Sequence, residues 1–165
     1  MAVAGVVATY YLVISALYLA GFRLYRIPVA AMHPTIQMDE QVVGRLSESY
    51  RSHPQRFDLV LFKPARFPGQ IHTKRIVGLP REHITIDDRG VMIDGQRLSL
   101  PSAVTAAGLG LKKCVLLIPA NAVFVLGDNT LNSMDSRHLG PICQWSLQNR
   151  PVVVTSKPAT RRVAW

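Results

Sequence analysis

The sequence predicts a mostly β domain behind one N-terminal transmembrane helix, and three observations predict it. Ala2 to Phe22 is a run of 21 residues without a charge, and at 1.5 Å per residue a helix of that length crosses a hydrocarbon core of about 30 Å. After Pro28 the helical periodicity stops, and short β-branched runs separated by turn residues take over. A length of 165 residues with 48% apolar composition suits one domain.

The anchor is assigned to residues 1–26. A cleaved secretory signal is the rival reading, but nothing basic precedes Arg23 and no small-x-small step follows the run. A buried core helix is a second alternative that Tyr10, Tyr11 and Tyr18 would suit. Arg23 and Arg26 follow the span, so the positive-inside rule alone would place the rest of the chain in the cytoplasm. Residues 27–155 form the β-rich domain, with strands expected at Gln41–Arg45, Asp58–Phe62, His72–Val77, His83–Ile86, Gly90–Ile93, Val115–Ile118 and Val123–Leu126. Asp87-Asp88-Arg89-Gly90 and Asp94-Gly95 supply turn chemistry. Ser99–Lys113 reads as a loop or short helix, with Gly108-Leu109-Gly110 a flexible step. Residues 156–165 form a basic tail: no acidic residue follows Asp135, whereas Arg137, Arg150, Lys157, Arg161 and Arg162 do.

The net charge of +9 admits an anionic partner, but there is no helix-turn-helix spacing, Cys/His finger or aromatic RNP strand, so nucleic acid is not expected. Beside an apolar anchor, the same charge favours a lipid bilayer surface. His33, His53, His72, His83 and His138 are scattered singly, so no metal site is expected. With no G-x-S-x-G, P-loop or G-x-G-x-x-G motif, classical hydrolase, nucleotide and dinucleotide chemistry is excluded and no cofactor is expected. Cys114 precedes one expected strand and Cys143 follows the Asp135-Ser136-Arg137 loop. A bridge between them would close about 30 residues and contribute roughly 3 kcal/mol; two buried free thiols are the other reading.

Three groups remain, and their order matters more than any one alone: Ile27-Pro28-Val29-Ala30-Ala31-Met32-His33-Pro34-Thr35-Ile36, Lys74-Arg75-Ile76-Val77-Gly78-Leu79-Pro80, and Gly127-Asp128-Asn129 through Ser133-Met134-Asp135-Ser136-Arg137. Together they resemble the type I signal peptidase family, membrane-bound serine proteases of bacteria and the mitochondrial inner membrane, with its motifs S-M-x-P-T, K-R, G-D-N and S-x-D-S-R. Arg56-Phe57-Asp58-Leu59-Val60 resembles the family's R-G-D-I-V strand. The resemblance implies coiled antiparallel sheets and removal of signal peptides from exported preproteins by a Ser/Lys dyad. Lys74 would be the general base, Ser133 would orient it, and Asp128, Asn129 and an Asp135–Arg137 ion pair would fix the loop.

The nucleophile position holds Ala31, whose methyl cannot attack a carbonyl, so the chain as written should not hydrolyse peptides. An engineered Ser-to-Ala change and a natural pseudoenzyme are the two origins, and retention of Lys74, Ser133, Asp135 and Arg137 favours the first, since a drifting site should lose a costly buried lysine. Val29 replaces a hydroxyl donor of some members, leaving the backbone N–H of residue 31 as main oxyanion donor. Val29, Ala30, Met32 and Pro34 would line a substrate groove that reads an extended peptide by β-augmentation. The family works on the trans side of the inner membrane, which overrides the positive-inside signal. Asp135-Ser136-Arg137-His138-Leu139-Gly140-Pro141-Ile142 and the lack of a large inserted domain resemble the compact conjugation-type peptidases. Those process pilin precursors beside secretion or conjugation machinery. The mitochondrial subunits are equally short. A membrane-anchored, non-catalytic peptide-binding protein on the same groove is the competing function.

Overall fold

The structure, a computed structural model, describes residues 2–46, 48–155 and 160–162. Its helices are α1 (Ala2–Leu19), α2 (Glu48–Ser52) and α3 (Ser136–Leu139). The strands are β1 (Phe22–Arg26), β2 (Gln41–Leu46), β3 (Leu59–Phe62), β4 (His72–Gly78), β5 (His83–Asp87), β6 (Gly90–Ile93), β7 (Gln96–Arg97), β8 (Cys114–Leu117), β9 (Ala122–Leu126), β10 (Ile142–Cys143), β11 (Leu147–Thr155) and β12 (Thr160–Arg162). They form two antiparallel sheets, one ordered β1-β2-β11-β3-β4-β9-β10 with β12 on β11, the other β7-β6-β5-β8.

The N-terminal expectation needs correction. The uncharged run is divided: α1 ends at Leu19, Gly21 turns the chain at φ +83°, and Phe22 opens β1. Among the described residues no helix is long and apolar enough to cross a membrane. The physical reason is that Phe22–Arg26 pairs with β2, so these residues belong to the sheet rather than to an anchor of residues 1–26. Arg23 closes the junction: its Nη1 donates to the Tyr18 and Phe22 carbonyls at 2.7 and 2.8 Å while the guanidinium lies over the Tyr18 ring. A cation is thereby placed at the negative end of the α1 dipole.

β3 shows why the interior strands are apolar throughout rather than alternating: Leu59, Val60, Leu61 and Phe62 are all buried, with packed layers on both faces. Leu59 and Leu61 join Ile27, Met32, Ile36 and Val42 in one cluster. Val60 and Phe62 point the other way, into Ile76, Val123, Val125, Ile142 and Leu147. A third cluster ties the sheets together, with Val77, Phe124 and Leu126 from the larger meeting Ile84, Ile86 and Val91 from the smaller. At the same junction Arg56 pairs with Glu82 and donates to the Val77 carbonyl, while Glu82 accepts from the Leu79 N–H.

One strand was not foreseen, and two further expectations change. β11 runs through Pro151, which lacks an N–H, and its register with β2 shifts between Pro151 and Val153; the bulge accommodates a residue that argues against a central strand in sequence. Part of the basic tail is strand, since Thr160–Arg162 pairs with β11; Lys157 lies outside the described residues. Cys114 and Cys143 are free thiols, because they sit in different sheets, on β8 and β10.

Candidate active site

β4 delivers Lys74 into the larger sheet opposite Val60 of β3. The residue is only 3% exposed, and its Nζ donates to the Thr73 carbonyl at 3.0 Å. Burial disfavours the ammonium and lowers its pKa from 10.5 to about 8, against the opposing pull of Asp135 and Asp128. Among the described residues Lys74 makes no ion pair, because each of those carboxylates is engaged by an arginine. A buried amine left in this state is chemically available as a base.

Arg75, next on the strand, occupies the opposite face and clamps three segments. Its Nε and Nη2 donate to Asp128 at 2.8 and 2.7 Å, its Nη1 donates to the Phe57 carbonyl, and the Thr35 hydroxyl donates to Asp128 in turn. The following residue completes the link: the Asn129 N–H donates to the Ala31 carbonyl at 3.1 Å and its side-chain amide to the Ala30 carbonyl at 3.2 Å. Ala31 thus sits in a 3-10 turn, Ala30–Met32, held from behind by the Gly127-Asp128-Asn129 loop. The loop's far end is held by Asp135, fully buried, which takes Arg137 Nε and Nη2 at 2.9 Å each and accepts from the Gly127 N–H. Arg137 also donates to the carbonyls of Gly108 and Thr130.

Gly127 is the residue on which these pieces converge. A Cβ there would fall 2.6 Å from the Ala31 carbonyl oxygen and closer still to Ser133 Oγ, so only glycine lets the two segments meet. Gly108 is likewise no flexible step. It is buried, its N–H donates to Thr130 Oγ1, and a Cβ would collide with the Thr130 backbone. The roles of Arg75, Thr35 and Gly127 are not legible in the sequence alone. Their place within the three motif groups is the only signal there, and it does not show which side chain is paired with which.

A cleft of about 690 Å³ opens in front of this assembly, with Ile27, Val29, Ala31, Met32, Thr73 and Lys74 among its walls. Ala30 and Pro34, expected in the groove, do not line it: the Ala30 carbonyl is turned to Asn129, and Pro34 is exposed beyond the turn. Asn132 and Met134 rim the cleft, whereas Ser133 between them is directed inward, its Oγ buried without a hydrogen-bond partner. The expected bond from Ser133 to Lys74 is therefore not made. The amine turns to the Thr73 carbonyl instead.

The sequence profile described as Signal peptidase, peptidase S26 matches residues 1–155. The chain belongs to that family. It is 33% identical over 136 residues to signal peptidase I V of Bacillus subtilis, covering 74% of this chain and 79% of that protein. The figure for probable signal peptidase I-2 of Synechocystis is 29% over 133 residues, where 77% of this chain spans only 60% of the relative. Among solved structures, the signal peptidase I of Enterococcus faecalis V583 is 32% identical with a TM-score of 0.51, matching 59% of this chain and 96% of that one. The β-rich fold of this signal peptidase family member agrees with that neighbour, and the three ordered motif groups lie within the matched span.

Proposed function

We propose that the cleft is the catalytic groove of a signal peptidase I acting on preprotein signal peptides, with the nucleophile position occupied by Ala31. The observation that carries this reading is the Lys74 amine, buried, unpaired with any carboxylate among the described residues and lowered to about 8, in the same cleft wall as Ala31. With serine at 31, a neutral Lys74 would take the hydroxyl proton as that oxygen attacks the scissile carbonyl, and would return it to the leaving amine. The backbone N–H of residue 31 would receive the developing oxyanion. Ser133 would aim the amine only after its hydroxyl turns toward Lys74. A pilin precursor is the narrower substrate, supported by the Asp135-to-Ile142 octapeptide and the absence of a large inserted domain.

The domain would work at a lipid surface on the trans side of the inner membrane. Val6, Tyr10, Leu12 and Leu19 of α1 are exposed, and a helix without charges is stable against lipid rather than water. Ala31 itself favours the second reading, a non-catalytic peptide-binding protein. Ala31→Ser separates them. The restored protein should cut a preprotein with small residues before the junction, with activity rising as pH passes through about 8. Lys74→Met in that background should abolish cleavage. A folded Ala31→Ser protein that cuts no preprotein would favour the binding protein, and activity surviving Lys74→Met would refute the dyad.

A further inference from the structure

β8 is the outermost strand of the smaller sheet and pairs with β5 alone. Its side chains alternate: Leu116 packs against the core that joins the sheets, whereas Val115 and Leu117 point to solvent, 77% and 56% exposed. The backbone alternates with them. The Ile118 N–H donates to the Glu82 carbonyl at 2.9 Å, and the register steps from there to Leu116 opposite Ile84 and Cys114 opposite Ile86. In an antiparallel ladder every second residue exchanges hydrogen bonds with its neighbour, so the N–H and C=O groups of Val115 and Leu117 face away from β5. The free edge thus offers peptide groups unpaired among the described residues, beside two large aliphatic side chains. The opposite edge of this sheet is blunted, because β7 has only two residues, and short edge strands resist pairing. β8 lacks that protection.

Charge selects the strand that fits. Lys112 precedes β8, and Arg81 stands at its other end, where the Arg81 N–H donates to the Ile118 carbonyl. Both side chains are exposed, and neither forms an ion pair among the described residues, whereas Lys113 is engaged by Asp88. Two copies of this chain meeting antiparallel at Leu116 would set the lysines of each beside the Arg81 end of the other, and like charges facing across strands repel. We propose that β8 is a docking edge for an extended segment of a partner protein with acidic ends. The segment adds as a further antiparallel strand, with apolar residues beside Val115 and Leu117 and carboxylates at Lys112 and Arg81. No residue of β5, β6, β7 or β8 lines the cleft, so the proposal stands apart from the peptide groove and the partner leaves that groove open.

The test uses the full chain in detergent and a fluorescent synthetic peptide that alternates valine with threonine and carries glutamates at both ends, read by anisotropy. Saturable binding that weakens in high salt is expected. N-methylation of the peptide's valines, whose amides would face β8, should abolish binding, and N-methylation of its threonines should not. Val115→Lys, at a side chain mostly in solvent, should also abolish it while leaving the urea midpoint of the protein unchanged. Lys112→Glu together with Arg81→Glu should weaken binding about tenfold and transfer the preference to a lysine-ended peptide. No binding by the unaltered chain would overturn the proposal, as would equal binding of the lysine-ended peptide or binding that survives Val115→Lys. Sedimentation showing a dimer that Val115→Lys dissociates would overturn it in favour of a second copy of this chain.

Discussion

The four-stranded sheet β7-β6-β5-β8 and the larger sheet that holds β4 and β9 bury different chemistry. The smaller contributes Ile84, Ile86 and Val91 to the core and leaves Asp88, Arg89, Asp94 and Lys113 in solvent. Every charged side chain that is buried among the described residues (Glu40, Asp58, Lys74, Arg75, Asp128, Asp135, Arg137) lies outside residues 83–117. Buried charge is expensive unless it is paired and hydrogen-bonded. Arg75 and Asp128, and Arg137 and Asp135, meet that requirement with bidentate contacts; Lys74 does not. The contrast marks the smaller sheet as packing support and the larger as the place where folding free energy is given up to hold a buried amine without a carboxylate partner.

The largest effect expected is from Arg137→Ala, which leaves Asp135 charged, buried and without its guanidinium. Removing one partner of a buried pair costs about 3–5 kcal/mol, and urea denaturation should show a loss of that size. A loss as small as that of a surface pair would erase the distinction between the two sheets.

Lys74→Met should move stability the opposite way. Burial lowers the folded-state pKa to about 8 while the unfolded chain keeps the ordinary value of 10.5. Below pH 8 both states hold the proton, and the folded state carries the whole penalty of a buried ammonium. Between about 8 and 10.5 the unfolded state binds more protons, so the stability of the unaltered protein rises with pH. Methionine should therefore stabilise by on the order of 3 kcal/mol below pH 8, and the gain should shrink as pH climbs toward 10.5. Denaturation midpoints of both proteins at pH 7 and pH 10 measure this, and a gain independent of pH would contradict the assignment of a depressed amine.

The smallest effect is expected in the supporting sheet. Lys113 pairs with Asp88 at 3.4 Å, both side chains mostly in water, where screening and side-chain entropy leave little net attraction. Lys113→Ala should leave the urea midpoint unchanged within error, in low salt and in high. A clear destabilisation would show that the smaller sheet also depends on its charges.

The sequence alone carries the antiparallel β character and most of the strands. β-branched runs such as Gly90–Ile93 and turns such as Asp94-Gly95 are local signals, with side-chain period and turn chemistry carried by adjacent residues. It also carries the kinship, through three motif groups in a set order, and shows alanine at the position where the family motif has serine. Contacts between residues far apart in the chain arise only on folding. Only pairing with β2 ends the N-terminal helix early and draws Phe22–Arg26 into the sheet. A bulge lets Pro151 sit in a strand flanked by two others. The two cysteines are separated because their strands join different sheets. At the site, Lys74 is visible in its motif, but its lowered pKa depends on burial by distant residues. The convergence on Gly127, the Arg75 clamp and the unpaired hydroxyls of Ser133 and Thr73 depend on which backbone approaches which. Periodicity reports the direction in which a side chain points; only the packed chain determines what it meets there.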